Sequence, residues 1–81
     1  MVQSVSSEEL IVVDLKGLKC PLPVMKTRKR LEKLPRGTTI AVETTDPLAG
    51  IDIPHFCRED GHGLLESVKT VDGHRFIIRK A

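Results

Sequence analysis

Residues 10–45 read LIVVDLKGLKCPLPVMKTRKRLEKLPRGTTIAVETT, and two changes of periodicity inside this stretch decide the fold. Residues 10–15 are short, apolar and rich in β-branched side chains, which suits a strand. Gly17 supplies a turn. From Pro21 onward Val24, Leu31 and Leu34, with Thr27 between them, recur at spacings of three and four, the period of a helix. Lys26, Lys29, Arg30 and Lys33 then fall on the opposite, solvent face. Pro35 and Gly37 stop the helix. Residues 38–45 alternate, with Ile40, Val42 and Thr44 on one side and Thr39, Ala41 and Glu43 on the other, so a second strand follows. A helix between two strands predicts a parallel βαβ crossover.

Beyond residue 45, Asp46-Pro47 is a cap-and-first-turn signal. Pro54 interrupts the pattern, since a proline deep in a helix costs about 3 kcal/mol. The reading is a short turn from Pro47 and a helix from about Ile53, with Pro54 in its first turn; one kinked, continuous helix is the alternative. Gly61 and Gly63 end it. Residues 64–71 and 74–80 are strands joined by Asp72-Gly73, a two-residue hairpin signal. That turn pairs Lys69 with Phe76 and Glu66 with Arg79. Leu65, Val71, Phe76 and Ile78 then share the core face with Lys69, and Val68 and Ile77 lie opposite. A bulge would flip this assignment. The order βαβαββ predicts an α+β two-layer sandwich: a four-stranded mixed sheet with two helices on one face. Residues 1–9 are expected to be a polar N-terminal tail and residues 10–81 a single domain.

Composition narrows the function classes. The chain has 81 residues, 40% apolar and 30% charged, with two Phe and no Trp or Tyr, so aliphatic side chains must fill the core. A net charge of +2 is too small to imply a nucleic-acid partner. The charge is concentrated, however: Lys26, Arg28, Lys29, Arg30 and Lys33 stand against Glu32 alone. No apolar run approaches the ~20 residues of a membrane helix. The first nine residues do not resemble a signal peptide, and two cysteines do not suggest a disulfide framework. A cytoplasmic protein, away from membranes, is expected.

Cys20-Pro21-Leu22-Pro23 carries the chemistry. Proline fits a first helical turn, where its missing N–H has no partner, so Cys20 stands at or just before a helix N-terminus. The partial positive charge there favours an anion. A free thiol near pKa ~8.5 is only about 3% thiolate at pH 7, and the helix end, Lys16 and Lys19 are expected to raise that share. Pro21 and Pro23 remove two amides that would otherwise face the sulfur, leaving mainly the Leu22 N–H, so their role is rigidity. From the residues alone Cys20 is either a reactive thiol or a buried structural one. Cys57, after Phe56 in the second helix, reads as core rather than as a resolving thiol. His55, Cys57 and His62 do not complete a tetrahedral metal set, so no metal or cofactor is expected. His74 reads as surface.

Asp14-Leu15-Lys16-Gly17-Leu18-Lys19-Cys20-Pro21-Leu22-Pro23 resembles the signature of the TusA/SirA-like sulfurtransferase family. Asp46-Pro47, then Asp52-Ile53-Pro54, Phe56-Cys57 and Gly61-His62, is similar to that family's second block. The likeness runs from about Val13 to Arg79. It implies a compact βαβαββ sandwich and a sulfur carrier in which Cys20 holds sulfur as a persulfide, with Gly17, Lys19, Pro21 and Pro23 as supporting motif residues. It also implies protein partners: a cysteine desulfurase or rhodanese-like donor, and a downstream acceptor. Family members serve tRNA thiolation, cofactor sulfur supply or sulfur oxidation.

On this reading Leu22 and Met25 form the apolar centre of a docking surface, and Lys26, Lys29, Arg30 and Lys33 steer acidic partner rims. Lys19 and Lys26 support the anion. A monomer is expected. The alternative is a non-catalytic RNA- or protein-binding module using the basic face of the first helix. The lack of stacking aromatics counts against direct nucleic-acid binding.

Overall fold

Ile11–Asp14 (β1) and Thr39–Thr44 (β2) pair in parallel, with Val13 opposite Val42, and Leu22–Glu32 (α1) makes the crossover between them. The computed structural model describes residues 10–81; the expected tail over residues 1–9 lies outside them. Ala49–Asp60 (α2), Gly63–Lys69 (β3) and His74–Arg79 (β4) complete the order βαβαββ. The sheet order is β1-β2-β4-β3, with β4 antiparallel to both of its neighbours. The expected α+β architecture is the one observed.

The core lies between the helices and one face of the sheet. Ile40, Val42, Phe76 and Ile78 are buried from the two central strands. Pro23, Thr27 and Leu31 are buried at successive turns of α1, and Ala49, Ile53, Phe56 and Cys57 on α2. The contact face of α1 is thus centred on residues 23, 27 and 31, and Val24 and Leu34 pack at its margin. Arg28 ties the helices together, pairing with Asp60 at 3.5 Å and lying 5.0 Å over the Phe56 ring.

Expectations are corrected at the second helix, the hairpin and His74. The second helix starts at Ala49 rather than near Ile53, and Pro54 lies inside it. Pro54 offers no N–H to the Gly50 carbonyl, a local cost, but a continuous helix buries Ala49 and Ile53 on one side of the proline and Phe56 and Cys57 on the other. Each large apolar side chain so buried contributes about 1.5–3 kcal/mol, which outweighs the defect. Gly61, at φ 78°, closes the helix in the left-handed conformation.

The hairpin differs as well. Lys69 pairs with His74 and Ser67 with Phe76, and a bulge falls between Leu64 and Glu66. The turn spans four residues, closed by the Thr70 N–H donating to the Gly73 carbonyl at 2.8 Å. Within that turn the Gly73 backbone lies against the end of β2, where a Cβ would overlap the Thr44 carbonyl oxygen and stand 2.6 Å from Thr45 Cα, so only glycine fits there. The bulge puts Leu64 toward the core in place of Leu65, which is 56% exposed, and Val71 is fully exposed. Phe76 and Ile78 keep their expected face. His74 is not a plain surface residue: it is half-buried, stacked on Phe76, and a Cβ on Gly50 of α2 would stand 3.0 Å from its ring.

Candidate functional site

The loop leaving β1 is held by its own turn and by the loop after β2. Asp14 Oδ1 accepts from the Lys16 N–H at 3.0 Å, and the Leu18 N–H donates to the Leu15 carbonyl. Gly17 adopts φ 88°, a conformation that costs glycine little, and its N–H reaches Thr45 Oγ1 at 2.9 Å. Three residues on, the Cys20 N–H donates to Asp46 Oδ2 at 2.8 Å. The Cys20 thiol donates to Asp52 Oδ2 at 3.2 Å.

Cys20 is exposed and sits where the N-terminal ends of the two helices meet. Pro21 is the N-cap of α1 and Pro23 lies in its first turn; the Cys20–Pro21 peptide is cis. Asp52 lies in the first turn of α2. Asp46 caps neither helix. The residue that the sequence marks as a helix cap instead anchors the backbone of Cys20.

The expected fall in the Cys20 pKa is overturned. The hydrogen bond to Asp52 raises it above the usual thiol value, with some desolvation and the charges of Asp52 and Asp46 acting in the same sense. Two features explain why the helix end does not prevail. The Leu22 N–H, the amide left by the two prolines, is taken by the Lys19 carbonyl at 2.8 Å. Lys16 is drawn to Glu43 at 3.5 Å. A carboxylate in contact with the thiol therefore decides the balance.

Leu22 and Met25 are exposed on α1, and Leu48 and Ile51 are exposed at the start of α2, beside Asp52. Nothing in the sequence marks Leu48 or Ile51, and Asp52 stands there only within the second block, with no role of its own. Lys26, Lys29, Arg30 and Lys33 are exposed, yet they do not simply face away from the body. With Val12, Val13, Asp14 and Leu15 they line an open groove of about 310 Å³ along the outer edge of β1.

Cys57 is 1% exposed in the core; burial, and then the charge of Asp60, push its thiol up to about 11. His62 Nδ1 accepts from the Ala81 N–H at 3.0 Å, and exposed His55 lies 4.0 Å from Glu59. Among the described residues no three His, Cys, Asp or Glu side chains are grouped to hold a metal ion, and no helix is long and apolar enough to cross a membrane.

A family model described as sulfurtransferase TusA matches residues 11–80. The crystal structure of a SirA-like protein from Desulfitobacterium hafniense is similar in fold, with a TM-score of 0.74 at 22% identity, covering 89% of this chain and 97% of that one.

Proposed function

This chain belongs to the TusA sulfurtransferase family, a family of sulfur carriers, and we propose that Cys20 is the atom-carrying residue. In the loading step the Cys20 sulfur attacks the outer sulfur of a donor persulfide, R–S–SH. The Sγ–S bond forms as the donor S–S bond breaks. The donor leaves as a thiolate and takes up the proton that Cys20 gives up, so no net oxidation occurs. An acceptor thiolate then attacks the outer sulfur and releases Cys20. Such exchange requires a thiol that a large partner can reach. The observation that carries the reading is Cys20 itself, exposed in a loop that Thr45 and Asp46 pin to the end of β2.

The donor on this proposal is a cysteine desulfurase or a rhodanese-like protein, and the compartment is the reducing cytoplasm, where a carrier thiol persists. Gly17, Lys19, Pro21 and Pro23 shape the loop. Leu22 and Met25, joined by Leu48 and Ile51, supply an apolar centre around the sulfur, and Lys26, Lys29, Arg30 and Lys33 supply a cationic flank. The groove beside that flank also supports a second reading, an anion-binding module that makes no use of sulfur.

Incubation with a cysteine desulfurase and cysteine should add one sulfur mass to the Cys20 peptide and none to Cys57. Reversing Lys29 and Arg30 to Glu should slow acceptance through the association rate, and salt should slow the wild type. Failure of the wild type to load, together with a salt-sensitive RNA complex that survives Cys20→Ser, would favour the second reading.

A further inference from the structure

Cys20 is tied to the acidic residues around it by two bonds of different kinds. Its backbone N–H goes to Asp46 and its thiol to Asp52, at 2.8 Å and 3.2 Å. The first bond is indifferent to what the sulfur carries. The second exists only while Sγ bears a proton. Once Sγ is bonded to an outer sulfur it has no proton to donate, and the bond to Asp52 is necessarily lost. The S–S bond places the outer sulfur about 2.05 Å beyond Sγ. An outer persulfide S–H is more acidic than a thiol, so the loaded group tends to be an anion facing two carboxylates.

We propose that Asp52 is a positioning residue of sulfur transfer, which retains the unloaded Cys20 thiol by accepting its hydrogen bond and turns away the loaded persulfide by charge. The proposal rests on the carrier reading above. It gives the site two states with one moving part. Empty, the sulfur lies against α2; loaded, it is released toward the solvent, where an acceptor thiol reaches it.

The charges around Cys20 agree with this assignment. Asp46 comes from the loop before α2 and Asp52 from α2, and both act on the thiol in the same direction. Its own loop carries two cations, Lys16 and Lys19. Lys16 is engaged by Glu43. No acid lies in the first turn of α1, whereas α2 carries Asp52 in its own. The retaining group thus belongs to the helix opposite the cysteine, and the loaded sulfur has only to leave α2 to be free.

The test uses the whole chain equilibrated with a glutathione persulfide–glutathione couple at pH 7, with the loaded fraction read by intact mass. Asp52→Asn keeps the shape, weakens the acceptor and removes the charge. It should raise the loaded-to-unloaded ratio severalfold. Asp52→Glu should restore most of the wild-type ratio, and Glu59→Gln, on the same helix but exposed, should leave it unchanged. In the same variants the pH midpoint of iodoacetamide alkylation at Cys20 should fall for Asp52→Asn alone. An unchanged or lower loaded ratio in Asp52→Asn, with the wild type loading normally, overturns the role of Asp52. No loading of the wild type by this couple or by a desulfurase overturns the carrier reading and this proposal with it, while the alkylation midpoint still reports the thiol–carboxylate bond.

Discussion

Raising the pH through the range where thiols ionise should destabilise this fold, and Cys57 should be responsible for a measurable share. Its side chain is 1% exposed among Ile53, Phe56 and the sheet, and its thiol is pushed from 9.0 to about 11, first by burial and then by Asp60. The folded chain therefore keeps a proton that the unfolded chain gives up. This contribution is complete below pH ~9 and is lost as the pH climbs toward 11, because the unfolded state binds fewer protons throughout that window. Two units at 1.36 kcal/mol each give a loss on the order of 2–3 kcal/mol by pH 11. For a domain of this size that is a fall in Tm on the order of 10–20 °C. Lysines and Cys20 titrate in the same range, so the comparison is a difference between two variants. Urea midpoints at pH 8 and pH 10.5 are measured for Cys20→Ala and for Cys20→Ala with Cys57→Ala. The double variant should lose much less stability between the two pH values. Equal losses would refute the assignment of Cys57 as a buried thiol.

Two further outcomes follow from the geometry. In the native protein iodoacetamide should modify Cys20 and leave Cys57 untouched, with a rate that keeps rising above pH ~9; a plateau near neutrality would mean that the bond to Asp52 is not formed in solution. Gly73→Ala should cost about 1–3 kcal/mol, because the Cβ has no room beside Thr44 and Thr45. Since that strand end leads into the loop bearing Asp46, the alkylation profile of Cys20 should shift too, and an unchanged Tm would show that the close approach is not maintained.

The β1–α1–β2 unit was legible because β1 is a short β-branched run and α1 and β2 each keep one period. Cys20 was legible because two prolines mark its place before a helix. The features that escaped are tertiary. Asp52 lies 32 residues from Cys20 and meets it only when the two helix ends come together. Asp46 was misleading, since its local signal is that of a cap while its carboxylate is used across the fold. Pro54 argues locally for a helix start, and the burial of residues on both sides overrides it. The hairpin turn takes four residues and Gly73 packs against β2, a contact outside the hairpin that the turn residues alone do not reveal. The bulge that moves Leu65 outward is absorbed within β3 and leaves no mark on β4, where Phe76 and Ile78 alternate undisturbed.

The outer edge of β1 has a consequence for behaviour in crowded solution. Among the described residues β1 has a neighbouring strand on one side only, which leaves backbone groups unpaired on the other, and Val12 adds exposed apolar surface beside them. Such an edge invites a second copy to continue the sheet. Here the strand is four residues long, and Lys26, Lys29, Arg30 and Lys33 stand along the same border. Two copies meeting edge to edge would bring both cationic rows together, and their repulsion opposes the pairing that the backbone would otherwise favour. High salt weakens that repulsion, so any tendency of the protein to build extended sheets should emerge at high ionic strength first.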